Sequence, residues 1–257
     1  MPSIETPPLC IADDATFWAW RTWTDFARMS PAQKASTTII VPIAGLADWG
    51  LGHPLDSEEL VLTHILKAAI EQRPANFHPL VIPPLRFVLG PDPGCAFAVD
   101  PPTAHALIRE VAISINLAGF RRLILMNASP WNEELCAAAS RDLRIELGLQ
   151  VFRINLGMND LDLHPVRSKT RRQFQTLVTA LTGCAPEAPS GPAMPPAFWH
   201  DERVSPLAGE AASLAVAATE GPTILATVAS RVASHFGEIA AHPPLLRDGV
   251  LLTMTPP

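Results

Sequence analysis

The chain has 257 residues, of which 48% are hydrophobic and 17% charged, with a formal net charge of -6 and a pI near 5.7. This length can bury a sizeable core, and the acidic balance gives no basic field for a phosphate backbone, so nucleic acid is not an expected partner. No apolar run reaches the roughly twenty residues that span a bilayer, and the start does not resemble a secretory signal. We therefore expect a cytoplasmic globular protein with no membrane partner and with reduced cysteines.

An aromatic helix is predicted near the amino terminus. Residues 14–29 carry five aromatic side chains at helical spacings, and Pro31 is expected to end the helix. The helix belongs to a predicted N-terminal helical arm, residues 1–36. Its dense aromatic surface is typical of a helix that docks on the domain or on another subunit, and stacking on a substrate is the alternative.

The central stretch runs from Thr37 to Glu59, with the sequence TTIIVPIAGLADWGLGHPLDSEE. Its β-branched and apolar first half predicts a buried strand, and the second half leaves the edge of a sheet, where α/β proteins keep their sites. Four acidic and imidazole side chains lie close together in this second half and form a candidate metal or acid/base cluster: Asp48, His53, Asp56 and Glu58. The alternative is that Asp56 or Ser57 caps the next helix while His53 packs or faces water.

The rest of the chain alternates between strand and helix patterns. Apolar spacing predicts helices over residues 58–72, 103–118 and 132–147. Apolar runs predict strands over 123–126 and 149–156, and residues 78–89 are predicted to be a strand that runs into a Pro-marked turn. This alternation favours an α/β protein with a mostly parallel sheet covered on both faces. Residues 183–206 form a Pro-rich loop or lid, and two further helices are predicted over 208–218 and 222–241.

Several segments, in this order, resemble the motifs of one enzyme family. They are VPIAGLADWGLGHPLDSEE, IPPLRFVLGPDPGCAFAVDPPT, AGFRRLILMNASPWN and, more weakly, PLAGEAAS, with T-W-T-D-F near Trp23 preceding them. Together they are similar to the creatininase family of metal-dependent amidohydrolases, which includes creatinine amidohydrolase. The likeness covers most of the chain up to residue 213.

The resemblance implies a fold, an assembly and a cofactor. The fold would be a three-layer α/β sandwich with a mostly parallel central sheet flanked by helices, formed by a single creatininase-like domain over residues 1–257. Members of the family assemble into homo-oligomers, commonly hexamers. Their active site holds two metal ions, zinc or manganese, through carboxylate and imidazole ligands.

The metal ligands of the first family motif carry over only in part. The family's Glu falls on Asp48 and its His on Gly50. The next Asp of the motif falls on Glu58 if this loop is one residue shorter, or on Ser57 without that gap. His53 matches the family's second His, which lies beside the metals.

The later motifs have lost their imidazoles. The His of the third motif falls on Ser129, the next ligand position falls on Trp131, and the proton-transfer His of the fourth motif falls on Leu207. Tryptophan and leucine offer no ligand atom, and serine is a poor substitute for imidazole. The resemblance therefore implies that the fold persists without the metal chemistry, with no metal or other cofactor.

We interpret the chain as a family member that acts by binding. It would be a non-catalytic subunit in a homo-oligomer, a partner of an active relative in a hetero-oligomer, or a sensor of a small-molecule ligand. The pocket would be lined by the residues at the family-motif positions: Asp48, His53, Glu58, Ser129, Trp131 and Asn132. The flanking asparagines, Asn127 and Asn132, are expected to be structural, bracing the strand end and the start of the helix.

The alternative is a metal-dependent amidohydrolase with a rebuilt site, acting on a small cyclic amide or another C–N bond. Asp48, His53 and Glu58 could hold one labile ion, since a catalytic zinc needs at least three protein ligands. Replacement ligands from the lid would be His200, Asp201 and Glu202. Cys95, on the long Pro- and Gly-rich loop, is either a thiol nucleophile or an inert buried thiol.

Overall fold

The computed structural model describes residues 16–47, 53–89, 95–161, 168–185 and 213–244. Nine strands are found in this part of the chain: β1 Thr37–Ala44, β2 Leu46–Ala47, β3 His78–Val81, β4 Leu85–Arg86, β5 Val88–Leu89, β6 Cys95–Ala96, β7 Ala98–Val99, β8 Arg122–Asn127 and β9 Gln150–Asn155. The helices are α1 Trp23–Arg28, α2 Pro31–Ser36, α3 Ser57–Glu71, α4 Pro101–Leu117, α5 Glu133–Leu147, α6 Ser168–Thr182 and α7 Leu214–Ala241. Short 3-10 turns occupy Trp18–Trp20, Pro130–Asn132 and Leu156–Asn159.

The main sheet is parallel, with the strand order β3-β1-β8-β9, and β4 continues beside the end of β1. In register, Ile39 pairs with Leu80 on one side and with Leu123 on the other. Every residue of β1 and β8 is buried, which explains why their sequences are continuous apolar runs without alternation. Two minor ladders, β2 with β6 and β5 with β7, lie outside this sheet.

Helices cover both faces of the sheet. Ile40 and Ile124 belong to a core that includes residues of α3, α6 and α7, whereas Ile39 and Leu123 belong to a core with residues of α4 and α5. Neighbouring residues of one strand therefore point into different cores, as the pleat requires. This is the three-layer α/β sandwich with a mostly parallel sheet that the sequence predicted.

Three central helices lie where the sequence predicted them, and two of them carry clear signals at an end. Asp100 caps α4 by accepting a hydrogen bond from the backbone N–H of Thr103, and prolines occupy its first turn. Gly148 ends α5 with a left-handed backbone, φ 60°. Helix α3 spans Ser57–Glu71, within one residue of the predicted bounds at each end.

The single helix predicted over residues 14–29 was wrong. Its described part is a 3-10 turn and then α1, and the two are separated because Arg21 is extended and Thr22 forms a capping box with Asp25. Pro31 does not end this helix. It occupies the first turn of α2, behind a second capping box made by Ser30.

Helix α7 corrects the prediction of two separate helices around Pro222. It runs unbroken from Leu214 to Ala241 although this proline lies inside it. A Cβ built on the preceding Gly221 would lie 2.3 Å from Cβ of Ala180 in α6, so the two helix backbones are in close contact there. No helix in the described ranges is both long enough and apolar enough to cross a membrane. The predicted lid lies almost wholly outside the described residues, which stop at 185 and resume at 213.

Candidate functional site

The candidate site lies at the edge of the sheet where the parallel strands end. Asn127 is the last residue of β8 and pairs with Ile43 of β1 on one side and with Asn155, the last residue of β9, on the other. Because parallel strands end at one edge, the loops that carry the family-like motifs meet there. The sequence RLILMN and the sequence QVFRIN both finish on asparagine. Sequence reasoning identified only the first asparagine, although the shared ending was a signal for both.

Asn127 organises the loop after β8. Its Nδ2 donates to the carbonyl of Ser129 at 2.7 Å and to Oδ1 of Asn155 at 3.3 Å, and its Oδ1 accepts from the backbone N–H of Ser129 at 3.1 Å. The predicted bracing role of Asn127 is therefore confirmed. Ser129 is fully buried, and its hydroxyl oxygen makes no hydrogen bond within the described part of the chain.

Glu58, in the first turn of α3, is bonded to the backbone at the end of β1. Its Oε2 accepts a hydrogen bond from the N–H of Gly45 at 2.6 Å, and the residue is fully buried. A Cβ on Gly45 would lie 2.0 Å from Cγ1 of Val88, so only glycine allows this approach. The acid of the first motif thus ties the start of α3 to the end of β1, while Gly45 itself lies against β5.

The start of α3 differs from the predicted cap. Asp56 occupies the N-cap position but makes no side-chain cap hydrogen bond, and the hydroxyl of Ser57 donates to the carbonyl of Pro54 at 2.5 Å. His53 lies just before this turn and is only 9% exposed, which agrees with the interpretation that it packs. The segment is therefore held by a local turn rather than by a helix cap.

The prediction that Asn132 braces the start of its own helix was wrong, because its side chain makes no cap hydrogen bond there. Its Nδ2 donates to the carbonyl of Phe87 at 2.9 Å, and its Oδ1 accepts from the N–H of Leu89 at 3.1 Å. This buried amide completes the backbone hydrogen bonding of β5, more than forty residues away. The neighbouring Trp131 is half-buried against the core beside the α3, α6 and α7 helices.

A half-buried ion pair that the sequence did not reveal lies at the same edge. Arg86, at the end of β4, donates from Nε and Nη2 to the two carboxylate oxygens of Glu59 at 2.6 and 2.8 Å. The hydrogen bond to Glu59 raises the pKa of Arg86 further above its ordinary value. No short-range signal could have found this pair, because 27 residues separate its members.

The loop side of the site is described only in part. Cys95 of β6 pairs with Ala47 of β2 in an antiparallel ladder, so Cys95 lies across from the residue that precedes Asp48. Asp48 itself and the lid residues His200, Asp201 and Glu202 are outside the described residues. Their predicted roles therefore remain predictions.

The family model described as creatinine amidohydrolase matches residues 19–188, about two thirds of the chain. The chain belongs to the creatininase family. Solved creatininases share its fold, as expected for family members, although the sequences have diverged widely. No curated protein gave a significant match to the chain.

Three solved structures illustrate this relationship. A protein from Bacteroides fragilis NCTC 9343 assigned as a creatinine amidohydrolase is 14% identical, with a TM-score of 0.65 over 90% of this chain and 99% of that one. A creatinine amidohydrolase (creatininase) is 18% identical, with a TM-score of 0.63 over 90% of this chain and 100% of that one. A creatininase variant complexed with creatine is 19% identical, with a TM-score of 0.60 over 87% and 98% of the two chains.

The side chains at the described family-motif positions fit a two-metal creatininase centre poorly. Within residues 16–47, 53–89, 95–161, 168–185 and 213–244, no three His, Cys, Asp or Glu side chains are grouped so that they could hold a metal ion. Of the carried-over ligand positions in this part, Glu58 has one oxygen bonded to Gly45, and Ser129 offers a neutral hydroxyl. Trp131 has no donor atom for a metal.

Proposed function

We propose that this member of the creatininase family binds a small molecule at the carboxyl edge of its sheet and does not carry out two-metal amide hydrolysis. The observation that carries the proposal is the buried hydroxyl of Ser129, which makes no hydrogen bond within the described residues. This residue stands where the resemblance places a ligand imidazole, and a hydroxyl binds zinc or manganese far less well than imidazole does. With Trp131 at the next ligand position, the third motif contributes no metal ligand.

The state of the Ser129 hydroxyl supports binding. It is fully buried and makes no hydrogen bond within the described ranges. A buried polar group without a partner costs about 1–3 kcal/mol, which a polar ligand atom placed against it would recover. The loop that holds this hydroxyl is already fixed by both ends of the Asn127 amide, so little ordering would be needed on binding.

The ligand class is inferred from the family and from the chemistry of this edge. One structural neighbour is a creatininase variant complexed with creatine. Creatine carries guanidinium N–H donors and carboxylate acceptors, and creatinine, its cyclic amide form, carries N–H donors and a carbonyl acceptor, so a serine hydroxyl can pair with either molecule. Creatinine and creatine are therefore the probes for this chain.

Calorimetry with creatinine and creatine tests the proposal, together with a paired substitution. We expect binding without conversion, and about tenfold weaker binding for Ser129→Ala because one hydrogen bond to the ligand is lost. Ser140→Ala is the matched control, since Ser140 is also buried but its hydroxyl donates to Ala137 within α5. Equal binding by both variants, or no binding to the wild type, would contradict the proposal.

Metal analysis separates this proposal from the alternative hydrolase. We expect far less than one zinc or manganese ion per chain after purification without chelators, and no hydrolysis of creatinine after either metal is added back. Stoichiometric metal with turnover would instead favour an amidohydrolase rebuilt around Asp48, His53, Glu58 and His200.

Assembly into a homo-oligomer is part of the proposal, and a hetero-oligomer with an active relative is the other form it can take. Large apolar side chains on several helices are strongly exposed, among them Trp23 at 76%, Leu117 at 72% and Ile145 at 76%. Exposed apolar groups of this size favour contact with further subunits. Light scattering of the purified chain should therefore give a mass that is a multiple of 27.7 kDa.

A further inference from the structure

A cavity lies at the opposite edge of the sheet from the candidate site. Its volume is about 300 Å³, and its lining includes Thr37 and His78, the first residues of β1 and β3. The amino ends of these parallel strands therefore form its floor. This volume is at the small end of the range of about 300–1,000 Å³ that ligand pockets occupy.

The apolar part of the cavity wall is rigid. Phe26 and Phe77 line it and are buried in the core, 5% and 2% exposed. Phe77 stacks on Phe236 with the ring centroids 4.5 Å apart, and Phe26 packs edge to face against Phe120 at 6.0 Å. Aromatic walls held in this way suit a flat apolar ligand body.

The polar part of the wall carries more positive than negative charge. Arg21, Arg73 and His78 line the cavity together with one carboxylate, Asp25. Nη1 of Arg73 donates to the carbonyl of Ile70 at 2.8 Å, which anchors a guanidinium group that has five N–H donors in total. The guanidinium groups therefore leave a net positive charge even when the imidazole is neutral.

The carboxylate of Asp25 is already hydrogen-bonded within the capping box at the start of α1. Its Oδ2 accepts hydrogen bonds from the N–H and the hydroxyl of Thr22, both at 2.8 Å. These bonds from Thr22 hold the pKa of Asp25 below its ordinary value, so it stays ionised and engaged locally. A cationic ligand would have to compete with this cap, whereas an anion would meet guanidinium donors.

We infer that this cavity is a second ligand site, which takes a small monocarboxylate with a flat apolar body. The guanidinium groups would bind the carboxylate, and the apolar lining, which includes Met29 and Leu80 beside the two phenylalanines, would contact the body. The inference does not depend on the function proposed for the carboxyl edge, because the two sites share no residue.

Calorimetry with 3-phenylpropionate and its neutral isostere 3-phenylpropanamide tests the site on the full chain. We expect the acid to bind about tenfold more tightly than the amide, because charge-assisted hydrogen bonds to arginine are the stronger ones. Its affinity should fall as the salt concentration rises, since the attraction is screened. Equal affinity for acid and amide, or no binding of the acid at millimolar concentration, would overturn the inference.

Substitutions locate the binding within the molecule. Arg73→Gln should weaken binding of the acid about tenfold, whereas the control Arg28→Gln, on the exposed side of α1, should change it less than about twofold. Asp25→Asn should strengthen binding of the acid, because it removes a repelling charge from the wall. Weaker binding in Asp25→Asn would show that the site prefers a cation, and unchanged binding in Arg73→Gln would place the ligand elsewhere.

Discussion

The two edges of the parallel sheet use their polar side chains differently. At the carboxyl edge, Glu58, Asn127 and Asn132 are buried and bonded to the backbone of neighbouring loops. At the amino edge, Arg73 is partly exposed and His78 is exposed, and both line a cavity. These three bonded groups at the first edge therefore stabilise the fold and leave Ser129 as the polar group for a ligand there, whereas the charged groups at the second edge line an open cavity. Substitutions at the carboxyl edge should consequently cost far more stability.

The largest effect is expected at Gly45. Gly45→Ala places a Cβ 2.0 Å from Cγ1 of Val88 and 3.1 Å from Oε2 of Glu58, so β5 must move. We expect the free energy of unfolding, measured in urea, to fall by about 3 kcal/mol. Gly237→Ala is the control, because its new Cβ meets only Pro74 at 4.0 Å. That variant should be as stable as the wild type or more stable by about 0.5–1 kcal/mol. A stable Gly45→Ala protein would contradict the tight junction described at this edge.

The second largest loss of stability is expected for substitutions of Glu58. Glu58→Ala leaves the buried N–H of Gly45 without its acceptor and should cost about 2–3 kcal/mol, whereas Glu58→Gln keeps an acceptor oxygen and should cost less. Glu71→Ala, at the exposed end of the same helix, should change stability by less than about 0.5 kcal/mol. If Glu58→Ala were as harmless as Glu71→Ala, the carboxylate would not hold the sheet edge together.

Substitutions of Asn132 test a contact at the same edge between segments that are further apart in sequence. Asn132→Ala leaves the carbonyl of Phe87 and the N–H of Leu89 without partners and should cost about 2 kcal/mol. Asn132→Asp keeps the acceptor for Leu89 but turns a buried carboxylate oxygen toward the carbonyl of Phe87, so a loss at least as large as that of Asn132→Ala is expected. The exposed Gln72→Ala serves as the control in the same urea series. Equal stability of all three variants would show that β5 does not need this amide.

The smallest effect, and one that depends on pH, is expected at the amino edge. Hydrogen bonds from Thr22 lower the pKa of Asp25 below its ordinary value of 3.8, so the ionised form is favoured in the folded state. Its contribution to stability is therefore present above about pH 4 and is lost as the pH falls through the folded-state pKa. The Tm difference between wild type and Asp25→Asn should be constant from pH 7 to pH 5 and should shrink below pH 4. A difference that grows in acid would contradict this sign.

Local signals in the sequence were sufficient for the main strands and the central helices. The β-branched run that begins at Thr37 and the apolar run that ends at Asn127 were predicted as buried strands because most of their side chains are apolar, and both are buried throughout. The prolines at the start of α4 and the glycine after α5 mark helix ends through backbone restrictions that operate within a few residues. The order of the family-like segments also identified the lineage.

The predicted helix boundaries were wrong where another interaction competed with the local sequence signal. Thr22 and Asp25 form a capping box that restarts the chain as α1, and this local competition divides the predicted aromatic helix. Pro222 failed as a helix breaker because Gly221 packs against Ala180, and this tertiary contact keeps α7 continuous through a position that cannot donate a backbone hydrogen bond. Propensity is a weak prior when packing opposes it.

The sequence by itself determined the layered α/β fold and the family, because both depend on patterns that repeat within a few residues or along the order of short motifs. Only the tertiary structure decided what the polar side chains do. Glu58 meets Gly45, Asn132 meets Phe87, and residues from 16 to 80 line one cavity, because the fold brings together segments that are separated along the chain. Such partners depend on strand register and side-chain packing, which cannot be derived from local patterns in one amino-acid sequence.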